Sequence, residues 1–416
     1  MAILRLDEQP LKQASERVKS RTVFARLLSA FSYLKRWRRW SLPAGLLCAA
    51  FILQAVAGLL PQTTERYYSR ALYPHIAHAL SFVNQSFRFS IAELLVLLLL
   101  AGCLIAVVWL LARAILWRRV RWRSFLFVGV RGVLWATGGG AIIFLLIWGF
   151  NYERQPLFDN LQLERRAASA DELETICRRI VTEINQNYDE AHASLAPNLA
   201  VTATAPGAAV PAASHTQLPV SRAQLYELLE ESYKRTTLPG LPPEDEINFA
   251  PPKPIYFSRV LTRLGISGMF SPFTGEANFN AEQPDCDLPF AIAHEMAHQR
   301  GFAREDEASF IAFLVCANST HPYVRYSGYL NALYVLGALA RVAPERLPIV
   351  SRTLGTGARA DLLARYAFWT NYQGKLSATS HLINHAYLKA NRIKSGRRNY
   401  NEVSALIVGY YLKKDL

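Results

Sequence analysis

The sequence predicts a mainly α-helical membrane protein, in which three N-terminal transmembrane helices precede an α-rich α+β domain with a small sheet. Three observations lead there. Three apolar runs precede Phe150, and each approaches the roughly 20 residues that a helix needs to cross a bilayer. Beyond Leu288 nearly every apolar pattern has the helical period. One stretch, 265–280, alternates turn residues with aromatics and suits one or two short strands. A chain of 416 residues accommodates two or three such modules.

Hydrophobic residues make up 51% of the chain, and the excess over an ordinary soluble protein sits in the three runs. The first spans about 42–60 and is bounded by Pro43 and Pro61. The second, about 94–111, opens on Leu95-Val96-Leu97-Leu98-Leu99-Leu100. The third, about 132–150, contains Gly138-Gly139-Gly140, which would weaken a soluble helix but permits close helix contact in a membrane. A cleaved signal peptide is a poor reading, because the polar region before the first run is too long.

The net charge of +14 would suit nucleic acid, but its distribution follows the apolar runs instead. Nine Lys and Arg residues from Lys12 to Arg39 precede the first run. Six, from Arg113 to Arg131, link the second and third. Only Arg66, Arg70 and Arg88 link the first and second. The positive-inside rule then places a basic N-terminal segment, 1–41, in the cytoplasm and everything after the membrane domain, 151–416, outside it. The expected location is the cytoplasmic membrane, with the lipid bilayer as partner and no nucleic acid.

After the membrane, 169–190 reads as an amphipathic helix, with Leu173, Ile176, Ile180 and Ile184 on one face. The Ala-, Pro- and Thr-rich segment 196–218 reads as a flexible insertion. Helical pattern resumes at 221–234, and prolines make 239–254 irregular. Pro272 would confine a strand to a sheet edge. Of five cysteines, Cys177, Cys286 and Cys316 lie after the membrane without C-x-x-C spacing. They leave room for one disulfide but offer no cysteine zinc site.

The chemistry concentrates at His294-Glu295-Met296-Ala297-His298. On a helix, residues four apart share a face, so both imidazoles can reach one ion. Glu295 lies beside the first and can act as general base toward a metal-activated water. Such a string arises by chance in about one chain in a hundred of this length. Here it follows the apolar Phe290-Ala291-Ile292-Ala293, after Asp287 and Pro289 at the helix start, and Gly301 stands where the helix must end. One Zn2+ is the implied cofactor. Arg304 occupies the position of a metzincin's third histidine, so the third ligand is sought among the acids that follow. Glu305 is preferred, since it shares a small-residue face with Ala308, Ser309, Ala312 and Cys316. Glu307 is the alternative, although it shares a face with Phe310, Ile311 and Leu314. Asp306 remains open.

Glu305-x-x-Ala308 after this helix is similar to the gluzincin arrangement, in which a glutamate on a second helix completes the site. More widely, the chain resembles an uncharacterised bacterial family of three-pass membrane proteins, known as a domain of unknown function. The resemblance rests on Trp148-Gly149-Phe150-Asn151-Tyr152, the segment from Ser271 to Asn278, the segment from His294 to Phe302, Glu305-Asp306-Glu307-Ala308 and Tyr326-Ser327-Gly328-Tyr329. It implies a zincin-like fold and a zinc metallopeptidase domain. Ser309 stands where asparagine is expected, which bears on a hydrogen bond to a ligand.

Around this centre, 267–280 is the candidate edge for binding substrate as an extra strand, and Glu276 and Asn278 could line the cleft or serve a turn. Tyr326, His321 and Tyr400 are candidates by type for stabilising an oxyanion. His381 and His385 repeat the i, i+4 spacing without a glutamate and read as structural. The expectation is a membrane-anchored zinc metallopeptidase hydrolysing peptide bonds outside the cytoplasmic membrane. The alternative is a non-catalytic zinc-binding sensor or scaffold.

Overall fold

A computed structural model describes residues 41–116, 122–164, 166–193, 219–241, 247–391 and 399–414. The basic segment before Ser41 and the insertion 196–218 lie outside them. The described chain is mainly helical, with one small sheet.

Three helices are long and apolar enough to cross a membrane. The spans are Ser41–Leu59 (α1), Ile91–Arg113 and Phe127–Ile147. Between the first two run a nine-residue π-helix, Thr64–Leu72, and α2, Tyr73–Asn84. The second span lies within α3, Ile91–Leu116, and the third within α4, Trp122–Ile147. α3 starts before the apolar run because Glu93, which interrupts hydropathy, is favourable in the first turn of a helix. α4 stops short of Phe150 because Trp148 leaves helical geometry and a 3-10 turn, Gly149–Glu153, follows. None of the most apolar window of the second span is buried by protein, so its Leu and Val side chains suit lipid rather than a core.

By packing, the described chain falls into two units, 41–55 with 110–145 and 56–109 with 146–414. In the first, Gly138 lets α1 and α4 meet closely, since a Cβ there would lie 2.6 Å from the Pro43 carbonyl. Gly139 and Gly140 have open space around them, so one glycine of the three makes the contact.

The second unit holds the core. α5, Ala170–Ala193, buries Leu173, Ile176, Ile180 and Ile184. α6, Arg222–Arg235, starts at a capping box between Ser221 and Gln224. The sheet has the order β1-β3-β2, from Lys253–Pro254 (β1), Gly268–Ser271 (β2) and Glu276–Phe279 (β3). β1 runs parallel to β3, and β2 antiparallel with Ser271 opposite Glu276 and Gly268 opposite Phe279. β2 is therefore a free edge, and Pro272 sits in the turn that follows it. A short helix, Ser258–Leu264 (α7), connects β1 to β2.

Three helices stack beyond the sheet: α8, Leu288–Gln299, α9, Glu305–Ala317, and α10, Pro322–Ala332. Small residues permit the stack. A Cβ on Gly328 would lie 2.5 Å from Cys316 Cβ, so α9 and α10 touch nearly backbone to backbone. Three longer helices complete the unit: α11, Thr356–Asn371, α12, Lys375–Ala390, and α13, Asn399–Lys413. All five cysteines are free thiols.

Candidate metal centre

α8 forms where Pro289 supplies a first-turn residue without an N–H to satisfy, and Ala291, Ile292 and Ala293 bury its inner face. Asp287 does stand at the start, but its carboxylate turns to Arg365, 2.8 Å away. The helix ends at Gly301, whose φ of +88° suits glycine. Two of the last carbonyls, which no intrahelical N–H can satisfy, accept side-chain donors. Trp148 Nε1 donates to His298 O at 3.2 Å and Tyr73 Oη to Gln299 O at 2.8 Å. Buried Arg154 donates to the Gly301 carbonyl at 2.8 Å, lies over the Phe302 ring and pairs with Glu65 at 2.7 Å. Buried Arg300 is held between the Tyr233 and Phe249 rings and Glu230. The turn into α9 is thereby fixed, and the turn sets where the acids fall.

Among the described residues, His294, His298 and Glu305 form the one group of three metal-capable side chains brought together. His294 Nε2 lies 3.0 Å from Glu305 Oε2, His298 Nε2 lies 3.1 Å from His294 Nε2, and His298 Nε2 lies 3.5 Å from Glu305 Oε2. Ligand atoms placed tetrahedrally at about 2.0–2.1 Å from a common centre would be about 3.3–3.4 Å apart. The triangle fits such a centre.

The outer nitrogens are engaged as well. His298 Nδ1 lies 2.7 Å from Phe302 O. A carbonyl only accepts, so Nδ1 carries a proton, and whenever the ring is neutral its lone pair lies on Nε2, toward His294 and Glu305. His294 Nδ1 lies 3.2 Å from Ser309 Oγ. The serine at the position where asparagine is expected therefore reaches His294, a candidate ligand.

Electrostatics reinforce the cluster. Burial pushes the Glu305 carboxyl up, but His298 and His294 outweigh it and hold it well below the usual carboxylate range. Burial also pushes His298 down, yet the Glu305 carboxylate carries it up to about 9. His294 is lowered, chiefly by burial.

Glu295 lies beside the triangle and outside it. Burial pushes its carboxyl up to about 8, and the Phe270 backbone N–H is a hydrogen-bond partner. Its Oε2 is buried and has no protein partner. A Cβ on Gly268 would lie 2.6 Å from Glu295 Oε1. The carboxylate is thus packed directly against edge strand β2.

The other residues singled out by sequence lie elsewhere. Glu307 Oε1 accepts from the Leu157 N–H at 2.7 Å, so Glu307 serves the core. Tyr326 donates to Asp361 at 2.7 Å. His321 caps α10, its Nδ1 accepting from Tyr323 N–H. His381 packs at Gly265. The side chain of Tyr400 lies outside the described residues. Glu276 and Asn278 are both buried, and Glu276 bonds to the start of α3. Sequence reasoning missed Trp148, Tyr152 and Tyr387. Trp148 packs its ring on Phe270 and His298. Tyr152 Oη lies 3.2 Å from Tyr387 Oη, and burial, with the Glu305 charge adding to it, pushes Tyr387 up to about 12. The motif at the membrane exit pointed to the first two; no spacing signal marks Tyr387.

Fold and site define a class: a mainly helical protein with three helices able to cross a membrane and a His-His-Glu cluster able to hold a metal ion. A family model described as a protein of unknown function, DUF3810, matches residues 68–408, and the chain belongs to that family. No curated protein and no solved structure matches it.

Proposed function

We propose that this protein is a membrane-anchored zinc-dependent metallopeptidase with a zincin-like site, its N-terminus in the cytoplasm and its metal-site domain on the outer side of the cytoplasmic membrane. The observation that carries this reading is the convergence of His294 Nε2, His298 Nε2 and Glu305 Oε2 at 3.0–3.5 Å, with Glu295 Oε2 unpartnered beside them. A structural site has no use for that second carboxylate.

His294, His298 and Glu305 would hold the ion, a nitrogen-and-oxygen set that suits zinc. Zinc would supply Lewis acidity toward a peptide carbonyl and a water molecule. Glu295 takes the proton of that water and passes it to the leaving amine. β2, as a free edge beside Glu295, can pair with the backbone of an extended peptide. The basic flanks of the apolar runs support the orientation.

The test compares the purified full chain with Glu295→Gln for bound zinc and peptide hydrolysis. Full length matters, because Glu65, Tyr73 and Ile91, which precede the third span, bond to Arg154, Gln299 and Glu276 beyond it. Zinc in both, with hydrolysis falling at least about 10²-fold in the variant, supports the reading. No zinc in the folded wild type overturns it. Zinc without hydrolysis of any peptide would favour a sensor or scaffold.

A further inference from the structure

The metal-site unit grips the start of the second apolar span in a way an ordinary water-facing helix end does not require. The N–H groups of Ile91 and Ala92 donate to the two oxygens of Glu276 at 2.9 and 2.7 Å. Glu93 N–H donates to Ser90 Oγ and Leu94 N–H to Ser90 O. The first three N–H groups of the helix, which have no intrahelical acceptor, are thus satisfied by protein, and Leu94 begins the regular ladder. Glu276 is itself buried, with Lys253 Nζ 2.7 Å away. A helix end so completed can sit where water is scarce.

Two aromatic pairs flank that end. Phe87 and Phe89 pack edge to face on the chain entering α3. Tyr256 and Phe257 do the same, and their N–H groups tie them to the first turn of α3, donating to Glu93 Oε2 and Oε1 at 3.0 and 2.9 Å. These four rings are 41–86% exposed, Tyr256 most of all. Exposed aromatics at the mouth of an apolar span are the arrangement of an interfacial belt.

We infer that Phe87, Phe89, Tyr256 and Phe257 form a collar seated in the headgroup layer of the bilayer, and that it holds the candidate metal centre at the membrane surface. The occupant of this apolar face is lipid, because the face is continuous with a span whose most apolar window no protein buries. The distance to the centre is short. Ser271 pairs with Glu276, and Gly268, which abuts Glu295, is three residues further along β2. At about 3.4 Å per residue, Gly268 and the Glu295 carboxylate against it lie roughly 10 Å along the sheet from the level of Glu276, which holds the start of the span.

The test places nitroxide labels one at a time on the full chain, with Cys48, Cys103 and the partly exposed Cys286 replaced by serine, in vesicles of phosphatidylethanolamine and phosphatidylglycerol. Labels go at Phe89→Cys and Tyr256→Cys, with Phe87→Cys and Phe257→Cys as replacements should either disturb the circular dichroism spectrum. Glu345→Cys, at a side chain 72% exposed, is the aqueous reference. The expected result is frequent collision with oxygen and loss of collision with a water-soluble nickel chelate, relative to the reference. Nickel collision equal to the reference would overturn the inference. Loss of both collisions would also overturn it, since protein rather than lipid would then cover the collar. The outcome is independent of zinc content and hydrolysis.

Discussion

Ser309 Oγ stands 3.2 Å from Nδ1 of His294, one turn beyond the glutamate that meets the same imidazole from the other side. One helix, α9, thus contributes both a candidate ligand and the group that orients another. Ser309→Ala removes the partner of Nδ1 and leaves the ring free to turn. The expected outcome is a loss of about 10–100-fold in zinc affinity, read by competition with a chromophoric chelator, with little change in thermal stability. Ser309→Asn should restore most of the affinity.

Gly268→Ala tests the packing of Glu295, the proposed general base. The added methyl would meet Glu295 Oε1 at 2.6 Å, so the carboxylate must move. Zinc content should stay at the wild-type level while kcat falls by about 10²-fold. Loss of zinc together with activity would mean that Gly268 supports the ligands rather than the base.

The Glu65–Arg154 pair makes a pH-dependent contribution to stability. Both side chains are buried and lie 2.7 Å apart. Burial pushes the Glu65 carboxyl up, and the hydrogen bonds and charges of Arg154 and Arg70 outweigh it, so its pKa in the folded protein is depressed. A depressed folded pKa gives stability that is present above the unfolded value and is lost as pH falls through the folded one. The Tm of the detergent-solubilised protein should therefore decline as pH drops below about 4.5, the ordinary glutamate value. Glu65→Gln should weaken that dependence. Glu65→Ala strands a buried guanidinium and should cost about 3–5 kcal/mol at neutral pH.

Gly328→Ala tests the packing of α10 on α9. Its methyl would approach Cys316 Cβ to 2.5 Å, and backbone must move to admit it. Destabilisation of about 1–3 kcal/mol is expected in denaturant unfolding. Gly139→Ala, in open space within α4, should be neutral or slightly stabilising by comparison.

Much of this was legible in the sequence because it is local. Hydropathy marks a membrane span wherever about 20 apolar residues follow one another, and its errors lay at the ends, where Glu93 belongs to a helix and Trp148 leaves one. The His-Glu-x-x-His string places two imidazoles on one face by helical period alone. The α5 stripe of Leu173, Ile176, Ile180 and Ile184 is buried as its spacing predicts.

What the sequence by itself determined was therefore the helical class, the three apolar spans, the pairing of His294 with His298 and the place of Glu295 beside them. Only the tertiary structure decided which acid joins the histidines. Glu305 and Glu307 lie about 200° apart around one helix, and periodicity alone does not say which face meets α8. The turn after Gly301, fixed by Arg154 and Arg300, sets that phase, sending Glu305 to the histidines and Glu307 to the Leu157 N–H. Glu276 is a second case: a strand residue in sequence terms, it caps a helix that begins 185 residues earlier. Contacts of that range depend on how whole elements dock, and no local pattern encodes them.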